Sequence, residues 1–115
     1  MKDVTTPDEL AAALGARLTL LFKHSPRCAI SVDSLEEVEA HLGARREGLM
    51  SVLDVVKHRA LSQELERRSG IRHESPQAIL VRDGKIVWHA SHFRITGAAI
   101  DRELATDAAV AAPVA

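Results

Sequence analysis

The sequence predicts an α/β fold: a four-stranded mixed sheet with helices on both faces and an extra helix at the N-terminal end. Three observations carry this. Short apolar runs at 17–23 and 50–56 alternate with segments of helical period, and a right-handed strand–helix–strand unit makes those two strands parallel. Asp83-Gly84 stands between two further apolar runs, a hairpin signal because that turn needs positive φ, so the last two strands are antiparallel. Gly and Pro punctuate the boundaries between elements.

Thr6-Pro7-Asp8-Glu9 reads as a helix start, with Thr6 as cap, Pro7 in the first helical position and Glu9 completing a capping box. That helix runs to Leu14 and stops at Gly15. Arg17 to Lys23 has no helical period and reads as a buried strand, broken by Pro26. From Cys28 to about Leu42, the apolar Leu35, Val38 and Leu42 recur at helical spacing with Ser31 one turn earlier, and Gly43 ends the run. Met50–Val56 is the second strand, and His58–Ser69 a second amphipathic helix ended by Gly70. Ala78–Val81 and Ile86–Ala90 form the hairpin, and Thr96 caps a last helix to about Leu104. The domain spans 1–104, and the Ala-rich 105–115 reads as a flexible tail.

At 115 residues and 46% hydrophobic content, one core is expected to hold without disulfide or metal. Phe22, Phe93 and Trp88 are the aromatic residues, so the core is mainly aliphatic. A net charge of −1 gives no case for nucleic acid or an anionic membrane surface. No apolar run approaches the roughly 20 residues that span a bilayer. The start lacks the apolar stretch of a signal peptide, and Cys28 is the sole cysteine, so a reducing, cytoplasmic setting is expected.

Cys28 is also the residue with the most chemistry to offer. It sits in Ser25-Pro26-Arg27-Cys28-Ala29-Ile30-Ser31, between a strand and a helix start. A helix N-terminus presents unpaired N–H groups and partial positive charge, which favour a thiolate. An ordinary thiol with pKa near about 8.5 is roughly 3% ionised at neutral pH, whereas one lowered to about 6 is roughly 90% ionised. Lys23, His24 and Arg27 lie close enough in sequence to help, and Ser31, at the last position of a C-x-x-S pattern, is able to donate a hydrogen bond to the anion. The competing readings are a small buried hydrophobe for Cys28 and a serine bonded to local backbone for Ser31. Among the six histidines, His73, His89 and His92 lack the separations and thiolate partners of a structural zinc site, so no metal is expected.

Three stretches resemble a known family: Phe22-Lys23-His24-Ser25 before the cysteine, His73-Glu74-Ser75-Pro76-Gln77-Ala78, and Val87-Trp88-His89-Ala90-Ser91-His92. Together with the Asp83-Gly84-Lys85 turn they look like the thioredoxin-like fold and, within it, the monothiol bacilliredoxins of bacillithiol-using bacteria. The resemblance covers roughly Leu18 to Leu104. It departs at Arg27-Cys28-Ala29-Ile30, where the family commonly has Thr-Cys-Pro-Ile; the nucleophile stays, while the local rigidity of the proline is lost.

The resemblance implies thiol–disulfide exchange through a mixed disulfide at Cys28. The protein would remove bacillithiol from S-bacillithiolated client proteins, with bacillithiol as co-substrate and no tightly bound cofactor; separately, a monomer is expected. It implies that Ser75-Pro76 is cis and that Ser75 and Pro76 position an incoming cysteinyl substrate. Bacillithiol carries a malyl group with two carboxylates, so cations near Cys28 are candidates to recognise it: Arg27 first, then Lys23, Arg72 and His73. The role of Trp88-His89-Ala90-Ser91-His92 does not follow from its chemistry. Two other classes compete: an iron–sulfur cluster or thiol carrier held between two protomers, and a non-catalytic thioredoxin-like adaptor in which Cys28 is incidental.

Overall fold

The computed structural model describes residues 1–106, so the expected tail lies outside the described residues from position 107 onward. The chain runs β1 (Lys2–Asp3), α1 (Pro7–Leu14), β2 (Leu18–His24), α2 (Ala29–Leu42), α3 (Arg46–Leu49), β3 (Met50–Asp54), α4 (Arg59–Ser69), β4 (Gln77–Arg82), β5 (Lys85–Ser91) and α5 (Gly97–Leu104). The strands form one sheet in the order β1-β3-β2-β4-β5. β1, β3 and β2 are parallel, while β4 and β5 are antiparallel to their neighbours.

The expected four strands are present, and β1 adds a fifth at the edge. Two residues are too few to show a period in sequence. β1 is placed by pairing Lys2 with Ser51 and Asp3 with Val52, and by Val4 N–H donating to the Val52 carbonyl at 2.8 Å. Residues 43–49, between the predicted helix and strand, form a 3-10 turn and the short α3. β3 stops two residues earlier than its apolar run, because Asp54 Oδ1 accepts the N–H groups of Val56 and Lys57 at 3.0 and 2.9 Å and turns the chain.

Local signals explain the other boundaries. Thr6 Oγ1 accepts from Glu9 N–H at 3.1 Å, and Glu9 returns a bond one residue further back, to Thr5 N–H at 3.0 Å. Thr6 and Thr96 thus cap α1 and α5 from extended backbone, Thr96 Oγ1 accepting from Ala99 N–H at 3.1 Å. Asp83 and Gly84 both have positive φ, 52° and 72°, as a two-residue hairpin turn requires.

Side chains of each strand alternate between two cores. Leu20, Phe22, Met50, Val52 and Leu80 face α2 and α5 through Val38, Leu42, Ile100 and Leu104, with Trp88 half-buried at the margin. Leu21, Leu53, Ile79 and Val81 face α1 and α4 through Leu10, Ala13, Leu61 and Leu65. Both faces of the sheet are therefore covered, as the near-continuous apolar runs imply. Leu80 is fully enclosed and Val87 on the edge strand is 43% exposed. Leu80→Ala should lower unfolding free energy by about 2–5 kcal/mol, and Val87→Ala by less than about 0.5 kcal/mol, measured by urea denaturation.

Candidate functional site

β2 ends at His24, and Cys28 follows after a turn closed by Cys28 N–H on the Ser25 carbonyl at 3.1 Å. Cys28 is the N-cap of α2: its backbone is extended and its carbonyl accepts Val32 N–H at 3.0 Å. No side chain caps this helix, and its first turn carries no acidic residue. The half-buried Cys28 therefore stands at the uncapped, positive end of a 14-residue helix. Ala29, at the first helical position, retains an N–H that a proline there would remove.

The opposing wall comes from residues 70–76. Gly70 ends α4 in the left-handed region, φ 70°, so the chain turns back over the helix. The Glu66 carboxylate accepts His73 N–H at 2.5 Å, and the His73 ring shares a 3.2 Å hydrogen bond with Ser62 Oγ. The Ser75–Pro76 bond is cis, as the resemblance implies. β4 starts immediately afterwards, and the Pro76 carbonyl accepts His92 N–H at 3.0 Å. Between the two walls lies a cavity of about 490 Å³ whose lining includes Cys28, Arg59, Gln63, Glu66, His73 and Ser75. Ser75 Oγ is buried and has no hydrogen-bond partner.

Behind this cavity, Lys23 is 1% exposed and donates through Nζ to Gln77 Oε1 at 3.0 Å. Gln77 Nε2 donates in turn to the Arg72 carbonyl at 3.1 Å and to Ser91 Oγ at 3.2 Å. Burial lowers the Lys23 ammonium from its ordinary 10.5 to about 8, against the opposing pull of Glu66 and Glu74. Burial likewise lowers His24, against Asp54 and Glu39. His73 is lowered by burial first and by the Lys23 charge second. Both rings are accordingly neutral at neutral pH.

The predicted site residues separate into groups. Cys28, His73 and Ser75 meet at one cavity, with Pro76 buried next to them. Ser31, expected to serve the sulfur, is fully buried; its hydroxyl accepts Ser25 N–H at 3.0 Å and shares a 2.8 Å bond with His24 Nδ1. Lys23, read as a cation beside the thiol, is an interior group whose charge is coupled to Glu66, Glu74 and His73. Arg27, the first choice for a carboxylate, is exposed and does not line the Cys28 cavity. Arg72 lines a neighbouring cavity of about 440 Å³ with Glu74, His89, His92, Phe93 and Arg94. Sequence reasoning missed Arg59 and Gln63, which the first turns of α4 bring to the cavity. Among the described residues, no group of three or more His, Cys, Asp or Glu side chains is arranged to hold a metal ion, and no helix is long and apolar enough to cross a membrane.

Residues 1–100 match the family model of the monothiol bacilliredoxin BrxC. Of the solved structures that resemble this chain, one described as a candidate oxidoreductase with a thioredoxin fold is 24% identical, over 88% of this chain and 90% of that one, with a TM-score of 0.80. Mitochondrial thioredoxin 3 of Saccharomyces cerevisiae is 12% identical over 90% and 92% of the two chains, TM-score 0.71. Fasciola hepatica thioredoxin is 20% identical over 92% and 97%, TM-score 0.66. These likenesses establish the thioredoxin fold.

The buried lysine makes a pH prediction. The unfolded chain holds its Lys23 proton up to about 10.5 and the folded chain only to about 8, so between those values the unfolded state binds more protons and stability rises with pH. At about 1.4 kcal/mol per pH unit, Lys23 should contribute a rise of roughly 3 kcal/mol across that window. Urea unfolding of the wild type and Lys23→Met at pH about 8 and about 10.5 measures it, and the variant should lack this rise.

Proposed function

The chain belongs to the monothiol bacilliredoxin family, and on that premise we propose that it is a thiol–disulfide oxidoreductase that removes bacillithiol from S-bacillithiolated proteins through Cys28. The observation that carries this reading is the placement of the only cysteine as the uncapped N-cap of α2, opening on a cavity walled by His73 and Ser75.

In the first step the Cys28 thiol gives its proton to solvent, and the thiolate attacks the bacillithiol sulfur of the client's mixed disulfide. The Cys28–bacillithiol bond forms as the client S–S bond breaks, and the departing client thiolate takes up a proton. In the second step an external thiol attacks the bacillithiol sulfur on Cys28, a new disulfide leaves, and the Cys28 thiolate is restored. Ser31 stands where a resolving cysteine would be needed to finish this internally, and a hydroxyl is not able to take that role.

The protein supplies position and electrostatics. The unpaired N–H groups and dipole at the start of α2 stabilise negative charge on sulfur both before attack and on its release. Ser75, which lines the same cavity as Cys28, and the adjoining Pro76 position the incoming cysteinyl substrate. The exchange needs no resident cofactor, and the protein acts as a monomer in a reducing cytoplasm.

Incubation of the reduced protein with a bacillithiol mixed disulfide should add one bacillithiol mass, mapped to Cys28 by peptide mass spectrometry. Cys28→Ser should acquire none and should lose debacillithiolation of a modified client. A wild-type protein that takes up no adduct, under conditions that modify a control thiol protein, would overturn the proposal.

A further inference from the structure

We infer that the cavity beside Cys28 is an anion-specific subsite for the small thiol, with Arg59 binding one of its carboxylates; this rests on the exchange reading above. Arg59 is the first residue of α4, and it lines the same cavity of about 490 Å³ as the sulfur. That volume lies in the range of small-molecule sites, about 300–1,000 Å³.

The charge balance of the cavity singles out this residue. Glu66 is engaged by His73 N–H and lies in the field of the Lys23 ammonium behind the wall. The His73 ring is bonded to Ser62, and Lys23 itself is bonded to Gln77. Arg59, by contrast, has no hydrogen bond or ion pair among the described residues. His58, the residue capping α4, makes no side-chain cap bond, and no acidic residue occupies the first turn. The field offered to a ligand is therefore that of a free guanidinium at the positive end of a helix.

A second observation also asks for a ligand. Ser75 Oγ is buried at the cavity without a partner, a condition that native structures rarely leave unanswered. A ligand oxygen would satisfy it. The class of thiol that fits carries a carboxylate away from its sulfur, which a neutral thiol lacks.

The test compares two symmetrical disulfides of similar size, dithiodipropionate, which carries carboxylates, and hydroxyethyl disulfide, which carries hydroxyls. Second-order rate constants for adduct formation at Cys28 are read by mass spectrometry. Arg59→Gln should lower the ratio of the anionic to the neutral rate constant by roughly fivefold to tenfold. Arg59→Lys should restore much of it, and Arg102→Gln on α5 should leave the ratio at the wild-type value. If both disulfides react and Arg59→Gln leaves the ratio unchanged, the subsite is wrong and the exchange reading stands. If neither disulfide modifies Cys28 while both modify a control thiol protein, the exchange reading fails and takes the subsite with it.

Discussion

The register pair Lys23–Gln77, at the end of the antiparallel β2–β4 pairing, is the constraint from which both walls of the site issue. Cys28 lies five residues beyond Lys23, and Pro76 immediately precedes Gln77. A buried ammonium has to be hydrogen-bonded, and Gln77 Oε1 supplies an acceptor. Committing that oxygen leaves the Gln77 amide nitrogen to hold the Arg72 carbonyl and Ser91 Oγ. One lysine and one glutamine thereby fasten β2, the loop before Pro76 and the end of β5 to each other.

This arrangement separates structural charge from chemical charge. Lys23 is held inside among Glu66, Glu74 and His73, and burial keeps His24 and His73 neutral. The positive end of α2 lies at Cys28, and Arg59 adds a guanidinium to the cavity that the cysteine lines. A helix end is well suited to thiol exchange because it favours an anion without offering a proton that could quench it. The His24–Ser31–Ser25 bonds serve a related end by tying the last residue of β2 to the first turn of α2 across the cysteine loop.

Much of the fold was legible in local patterns. The capping box at Thr6–Glu9, the hairpin turn at Asp83-Gly84 and the stop at Gly70 are short-range signals, and each sits where it was read. β1 was not legible, because its pairing with β3 depends on residues some fifty positions away and on no pattern of its own. The early end of β3 was hidden for a different reason: the Asp54 side chain turns the chain inside an apolar run. In the site, the cysteine and the Ser75-Pro76 loop could be named from sequence, whereas the roles of nearby cations could not. Lys23 closes an apolar run five residues before Cys28 and reads as a cation beside the thiol, yet its acceptor lies 54 residues later. Arg59 resembles any exposed arginine at a helix start until the fold brings α4 beside Cys28.

A crystal structure of the Cys28–bacillithiol mixed disulfide would test the account most directly. The account predicts the bound thiol between the start of α4 and residues 73–75, with Ser75 Oγ hydrogen-bonded to it and a carboxylate on Arg59. A bound thiol turned away from that cavity, over Arg27 or toward Phe93, with Ser75 and Arg59 untouched, would contradict it.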